Sequence, residues 1–397
     1  MKTFSNWCSK LIHRDKKLNK GKLNEGKLNE EKLNEEKLNN EKLNEEINKE
    51  INKEKLNEEL KVRSIRLTPK LTSNSRKKTS QPLKKYKLKY IIGKGSGGCV
   101  YKAIDIHENK MYAIKIIDLN ERNIMDSIEN EINIQNILHH NNIVFIKESF
   151  INNKDVTLWI VMEIAENGSL KDLLKHHYSL GIKDEIFIAS ILKQILIAIE
   201  YCHINKKIHR DIKSGNIMVD KNGVIKVGDF GLATTFNSLK RHNTFVGTLC
   251  WLAPEIIYNE SYDEKIDIWS IGITVLELAF GLPPYYYDNP NQILHHLMND
   301  DAPECKDYYK NEIHIKYIFS PLFEDFISKC LDKDPTHRSN ASELLKHKFI
   351  DIAQDEVYIN QRIKEMYAKE SYDKEIKRDN ERIKNEENNH STIIEYI

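Results

Sequence analysis

The chain has no pair of cysteines at C-x-x-C spacing. Its six cysteines (Cys8, Cys99, Cys202, Cys250, Cys305 and Cys330) are scattered among apolar residues, which argues against a clustered zinc site or a disulfide framework and fits a reducing, intracellular (cytoplasmic) compartment. It has no unbroken apolar run of the roughly 18 residues that a membrane span needs, and no continuous apolar stretch at its start. No transmembrane segment and no secretory signal are therefore expected. Neither sign of charge dominates: 61 Lys and Arg stand against 60 Asp and Glu, a net charge of +1, which excludes a globally basic nucleic-acid coat. Apolar residues are also scarce, at 40% of 397 residues. Part of the chain is expected to lie outside any packed core.

Composition changes three times along the chain, and those changes set the expected boundaries. Residues 1–60 are dominated by a degenerate Lys-Leu-Asn-Glu repeat with leucines at 18, 23, 28, 33, 38 and 43. A period of five turns a helix by about 140° per repeat, so these leucines circle the axis and make no seam. The arm reads as a solvated low-complexity segment; a self-association helix through Leu43, Ile47, Ile51, Leu56 and Leu60 is the alternative. Ahead of it, Phe4, Trp7, Cys8, Leu11 and Ile12 form one short amphipathic face, read as a frayed terminus rather than a membrane or partner contact. Residues 61–85 carry nine Lys and Arg and no acid. They read as a basic linker, with docking on an acidic partner or nuclear import as the alternatives. Nucleic-acid binding is not expected there, because no aromatics are interleaved. Residues 86–350 alternate apolar periodic segments with turn signals and hold the core. Residues 351–397 form a charged tail in which Ile359, Ile363, Met366 and Tyr367 are spaced for one helix that packs on the domain.

Chemistry concentrates in 86–350. Gly93, Gly95, Gly98 and Val100 form G-x-G-x-x-G-x-V in a β-rich run; glycines there let a strand–turn–strand bring backbone N–H groups close to phosphates. A dinucleotide fold would need a helix directly after the glycines, whereas Val100–Asp105 continues as strand. Lys115 follows in an alternating strand, Tyr112-Ala113-Ile114-Lys115, aimed to bring an ammonium to the phosphates. A helical stretch from Met125 to Leu138 offers Glu131 or Glu129 as its carboxylate partner.

The most specific stretch is Ile208-His209-Arg210-Asp211-Ile212-Lys213-Ser214-Gly215-Asn216, followed thirteen residues later by Asp229-Phe230-Gly231. Magnesium takes oxygen ligands, and the Asn216 amide oxygen with the Asp229 carboxylate suits it beside triphosphate oxygens. Asp211 is left as the base that orients an attacking hydroxyl, with Lys213 offsetting charge on the migrating group. Between them, Asp220-Lys221-Asn222-Gly223 signals a hairpin that holds both metal ligands.

In this order these motifs resemble the eukaryotic protein kinase family across 86–350, together with Ala253-Pro254-Glu255, Asp267-Ile268-Trp269-Ser270-Ile271-Gly272 and Arg338. The resemblance implies an α+β fold of a β-rich small lobe and a helical large lobe, with ATP and Mg²⁺ between them. It favours Glu131 over Glu129, nine residues before His140. It further implies Ile92, Val100, Ala113 and Met218 around the adenine, Met162 as gatekeeper, and the main chain of Glu163 and Ala165 as hinge. Glu255 would pair with a buried Arg338, and Asp267 would brace the catalytic loop.

Lys213, two residues past Asp211, and Thr248 are similar to serine/threonine kinases, and the segment from Thr244 to Glu255 looks most like the germinal-centre and PAK-type group. Leu249 departs from the proline usual there, which loosens any inference about substrate preference. MAP kinase kinase kinases are the nearest alternative, and a scaffold acting through arm and tail is the alternative of another class. The groups needed for nucleotide, metal and proton handling are all present, which speaks for an active enzyme with protein substrates. A phosphate on Thr244 would draw its segment toward Arg210, while one on Thr248 would break a bond to the Asp211 and Lys213 region and inactivate.

Overall fold

The computed structural model describes residues 85–95, 98–119, 137–152, 155–230, 233–235, 248–258, 261–309 and 317–369. Its first part is a five-stranded antiparallel sheet: β1 (Tyr86–Gly95), β2 (Gly98–Asp105), β3 (Lys110–Asp118), β4 (Ile146–Asn152) and β5 (Thr157–Met162), in the order β1-β2-β3-β5-β4. Side chains alternate across a strand, so each sequence splits between two faces. Tyr112 and Ile114 pack with Trp159, Val161 and Tyr86 on one face. Ile117 packs with Leu158, Ile160 and Ile146 on the other, with Met162 against them.

Register carries this second face across the sheet. Gly93 pairs with Val100, Val100 with Lys115, and Lys115 with Ile160, while Ala113 pairs with Met162. Cross-strand partners share a face. One row thus joins the glycine-rich hairpin, Lys115 and the neighbourhood of Met162. Ile92 sits at an irregularity, between the Ile91↔Tyr101 and Gly93↔Val100 pairs. Such a bulge re-aims a side chain, and neither composition nor alternation signals it.

The second part is helical: α1 (Leu170–His177), α2 (Glu185–Ile204), α3 (Pro254–Ile257), α4 (Lys265–Phe280), α5 (Pro290–Asn299), α6 (Cys305–Tyr309), α7 (Pro321–Cys330) and α8 (Ala341–Leu344), followed by a helix at 356–369, here α9. Short strands β6 (Lys207–Ile208), β7 (Ile217–Val219), β8 (Ile225–Val227) and β9 (Thr234–Thr235) pair as β6–β9 and β7–β8. Helix α4 is buried from Ile266 through Phe280, so it reads as apolar all round rather than striped. Gly272 lets it approach α7: a Cβ there would lie 2.6 Å from Leu331 Cδ2 and 2.8 Å from Cys330 Cβ. Helix α2 is long and apolar enough to cross a membrane by length and composition, a length the unbroken-run criterion missed because Lys193, Gln194 and Glu200 interrupt it. Eleven of its residues are buried within the lobe.

Helix α9 packs on this lobe. Ile359 and Ile363 are buried in its core, Arg362 pairs with Asp184 at 3.1 Å, and Tyr358 Oη donates to the same carboxylate at 3.1 Å. Asp184 also caps α2 by accepting from the Phe187 N–H. The turn of the β7–β8 hairpin lies directly against α9: a Cβ on Gly223, at φ +88°, would sit 2.2 Å from the Glu356 carbonyl oxygen.

Candidate active site

Strands β7 and β8 form the hairpin expected around Asp220–Gly223, pairing Ile217 with Val227 and Val219 with Ile225. Asp220 Oδ1 accepts from the N–H groups of Asn222 and Val224, closing the turn. Its two ends carry Asn216 on one side and Gly228-Asp229 on the other, joined by a 2.9 Å bond from Gly228 N–H to the Asn216 carbonyl.

The Asp211 carboxylate is held by three side-chain donors. Its Oδ1 accepts from Thr248 Oγ1 at 2.7 Å, and its Oδ2 accepts from Lys213 Nζ at 2.7 Å and from Asn216 Nδ2 at 2.8 Å. Lys213 Nζ also donates to Thr248 Oγ1 at 2.6 Å. A carboxylate offers about four acceptor positions. Among the described residues three are used, leaving one on Oδ1 for an incoming hydroxyl.

His209 ties this carboxylate to the next motif. It is fully buried, its Nδ1 accepts the Asp211 N–H at 3.2 Å, and its Nε2 meets the Gly228 carbonyl at 3.0 Å. An acceptor at Nδ1 puts the ring hydrogen on Nε2, so one imidazole fixes the Asp211 backbone relative to the residue before Asp229. Arg210 and Asp229 both hold left-handed backbone, at φ +69° and +60°. Strain of about 1–3 kcal/mol at each such residue persists only where the surroundings hold it. The holding group for Arg210 is Asp267, fully buried in the first turn of α4, which accepts the N–H groups of His209 and Arg210 at 2.9 and 2.8 Å. His203 Nε2 lies 2.9 Å from the same carboxylate. Burial pushes the Asp267 carboxyl up, but the His203 bond and the charges and amides around it hold it below its ordinary value.

Asp229 points its carboxylate, 46% exposed, to Lys115 Nζ at 3.0 Å. Burial raises its pKa, while the charge and hydrogen bond of Lys115, with His209 and Lys213, outweigh that and hold it below the usual carboxylate value. Glu131 and Glu129 lie outside the described residues, as do Thr244 and Gly231. Arg210 Nη1 donates to Tyr262 Oη at 3.1 Å.

The remaining expected residues lie on the sheet, on the β7–β8 hairpin and in the segment after β5. Gly98, at φ +124°, is where a Cβ would meet the Ile116 carbonyl at 2.2 Å, so the close approach of β2 to β3 requires glycine. Ala113 is buried, Val100, Met162 and Met218 are half-buried, and Ile92 is exposed. Met218 sits in β7 and bridges to Ser169. Glu163 spends its N–H on the Phe145 carbonyl at 3.0 Å and its side chain on Phe145 N–H and Lys226. Among the described residues, the Glu163 carbonyl and the Ala165 N–H meet no backbone partner, leaving one acceptor and one donor in the segment after β5. Sequence reasoning missed Lys226, which is buried and reaches both Glu163 at 3.1 Å and the Asn141 carbonyl at 2.7 Å.

These groups suit a nucleotide with a hard divalent ion. Asn216 uses its amide nitrogen on the Asp211 carbonyl and carboxylate, which leaves Oδ1, an oxygen such an ion accepts. Asp229 offers a partly exposed carboxylate, and Lys115 a cation at its side. The arrangement matches a known family over its whole extent: the model described as "Protein kinase domain" covers residues 86–350.

The chain belongs to the protein kinase domain family. ATP with Mg²⁺ is the family's usual cofactor; when bound here, Asn216 and Asp229 would be the groups to hold the ion and Lys115 the phosphates. The kinase domain is 43% identical over 266 residues to serine/threonine-protein kinase dst1 of Dictyostelium discoideum, covering 67% of this chain and 34% of that protein. It is 40% identical over 275 residues to serine/threonine-protein kinase pakC of the same organism, covering 69% and 55%. Germinal center kinase 3 of Caenorhabditis elegans is 38% identical over 297 residues, with 69% and 48% covered. The chain thus spans between about a third and about half of the curated relatives it matches. Glu255 and Arg338 form a bidentate pair at 2.7 and 3.1 Å, both buried, with the guanidinium over the Trp269 ring.

Proposed function

We propose that this kinase domain transfers the γ-phosphoryl group of ATP to serine or threonine hydroxyls of protein substrates, as an intracellular component of a signalling cascade. The observation that carries the reading is the Asp211 carboxylate, held on three sides by Lys213, Asn216 and Thr248 with one acceptor position open. ATP with Mg²⁺, when bound, supplies the phosphoryl group and neutralises its charge. Asp211 orients the substrate hydroxyl and takes up its proton at Oδ1. Lys213, bonded to both Asp211 and Thr248, sits where charge on the acceptor side is offset. Lys115 positions phosphates from the sheet side, and Glu131 is the proposed carboxylate partner that orients it. Ile92, Gly93, Gly95, Gly98, Val100, Ala113, Met162, Met218 and the Glu163–Ala165 backbone are the proposed nucleotide contacts.

Lys213 and Thr248 favour aliphatic hydroxyls as acceptors. Incubating the full chain with radiolabelled ATP and an array of peptides bearing Ser, Thr or Tyr tests this. Label on Ser and Thr peptides is expected; label confined to Tyr peptides, or none on any, would defeat the reading. The second outcome favours a scaffold acting through arm and tail.

Regulation through Thr244 belongs to the same proposal, because Arg210 directly precedes Asp211 and its own N–H is held by Asp267 of α4. Phosphate on Thr244 adds about −2 charge that arginine can pair. Thr244→Ala is expected to lower activity severalfold, and Arg210→Ala to remove any benefit of phosphate. Equal activity of phosphatase-treated and untreated enzyme would refute the switch. The basic linker at 61–85 is proposed to meet an acidic partner, with nuclear import as the competing role. The five described cysteines are all free.

A further inference from the structure

Helix α5 carries a group of side chains that phosphoryl transfer does not use. Residues four apart share a helix face, and His296 meets Asp300 just past the helix end, with Nδ1 2.5 Å from Asp300 Oδ2. The other ring nitrogen, Nε2, lies 3.3 Å from Asp288 Oδ2, in the segment that leads into the helix. Tyr285 stacks on the same ring, nearly parallel at 6° with 4.5 Å between centroids. One imidazole is thus set by a carboxylate at each nitrogen and an aromatic plane on its face.

His295 completes the group. One ligand atom from each of His295, His296 and Asp300 lies within 4.8 Å of the others. Around a zinc ion, tetrahedral ligands at about 2.0–2.1 Å stand about 3.4 Å from one another. Small side-chain rotations reach that spacing, because His295 and Asp300 are exposed. The Asp300 backbone is tied down separately: its N–H donates to the His296 carbonyl at 3.1 Å, and Lys333 Nζ donates to its carbonyl oxygen. Both bonds keep the carboxylate beside the histidines.

A helix-end role explains part of this, since a histidine near the last carbonyls suits the helix dipole. That role needs neither His295 nor Asp288. A metal site needs both. A ligating histidine gives its second ring N–H to a carboxylate, which fixes its tautomer and raises its basicity; with Nδ1 on an ion beside Asp300, the Nε2 hydrogen falls to Asp288. Two imidazoles and one carboxylate suit zinc, whereas magnesium and calcium take oxygen ligands.

We propose that His295, His296 and Asp300 form a zinc site on α5, with water in the fourth position, and that Asp288 orients His296 from outside the ligand set. Its place in the fold gives the ion a use. Tyr258, which ends α3, donates from Oη to the Met298 carbonyl at 2.6 Å. An ion joining residues on either side of Met298 fixes the turn of α5 to which α3 is bonded. Zinc binding there is independent of phosphate transfer.

The test titrates the untagged full chain with zinc chloride in excess Mg²⁺, which keeps oxygen-ligand sites filled, and counts bound zinc by equilibrium dialysis. His295→Ala alters an exposed residue, so its metal-free melting temperature should match the wild type, yet it should bind one zinc fewer. His296→Ala and Asp300→Ala should each lose the same single equivalent. Asp288→Asn should keep it with affinity lowered by about 10- to 100-fold, the scale for loss of an outer partner of a ligating histidine. Hydrogen exchange of residues 290–300 should slow on zinc addition in the wild type and not in His295→Ala. Zinc binding of equal stoichiometry and affinity in the wild type and the three ligand variants would overturn the site. A wild type that binds no zinc, or whose α5 exchange zinc leaves unchanged, would overturn it equally.

Discussion

Thr248, Lys213 and Asn216 share one carboxylate, and each should fail differently when changed. Thr248→Val removes the hydroxyl that donates to Asp211 Oδ1 and accepts from Lys213, leaving the carboxylate free to turn. It should lower kcat by about 10²-fold, the scale of misplaced general-base catalysis, while Thr248→Ser should retain most activity. Steady-state kinetics on the two variants decide, and equal rates for Val and Ser would sink the role. Asp229→Asn removes a group held charged beside Lys115 and should weaken nucleotide–Mg²⁺ binding. Asp211, Lys213, Asn216 and Asp229 are legible in the sequence as a set, because oxygen ligands, an acid and a cation at fixed spacing leave few other uses. The bridging by His209 is not. A histidine inside an apolar stretch carries no mark of which backbone groups it will join, since that is decided by elements far away in the chain.

Elements of this fold position the site by register and by close approach. The glycine-rich hairpin, the alternation in β3 and the turn at Asp220–Gly223 follow from local periodicity and turn chemistry, which is why they can be read from sequence. The bulge at Ile92 cannot, because a single extra residue leaves the apolar pattern almost unchanged. Gly98→Ala would press a Cβ to 2.2 Å from the Ile116 carbonyl in backbone that only glycine enters readily. The β1–β2 hairpin should shift, raising the KM for ATP without altering the KM for peptide; an unchanged ATP dependence would contradict the register argument. Helix α4 gives a pH expectation. Asp267 is held below its ordinary pKa when folded, so the stability it contributes is present above the unfolded value of about 3.9 and is lost as pH falls from there through the folded value. Unfolding free energy of the wild type should drop on acidification below about pH 4, and Asp267→Asn should flatten that drop. Parallel acid profiles for the two proteins would rule it out.

At the scale of the whole molecule, α9 joins the large lobe through Ile359 and Ile363, and through Arg362 and Tyr358 on the Asp184 cap. The sequence gives the helix by spacing alone; its seat against the Gly223 turn depends on tertiary contact and has no local signal. Ile363→Ala in the full chain should cost about 2–5 kcal/mol, as for other large-to-small changes in a packed core. Denaturant unfolding measures it, and an unchanged midpoint would mean that α9 does not contribute to the core. The account as a whole turns on Asp211. The most direct measurement is phosphate transfer from radiolabelled ATP to a Ser/Thr peptide by the full chain and by its Asp211→Asn variant, with nucleotide binding measured on both. The expected result is binding in both and transfer reduced by at least about 10²-fold in the variant; transfer by Asp211→Asn at the wild-type rate would contradict it.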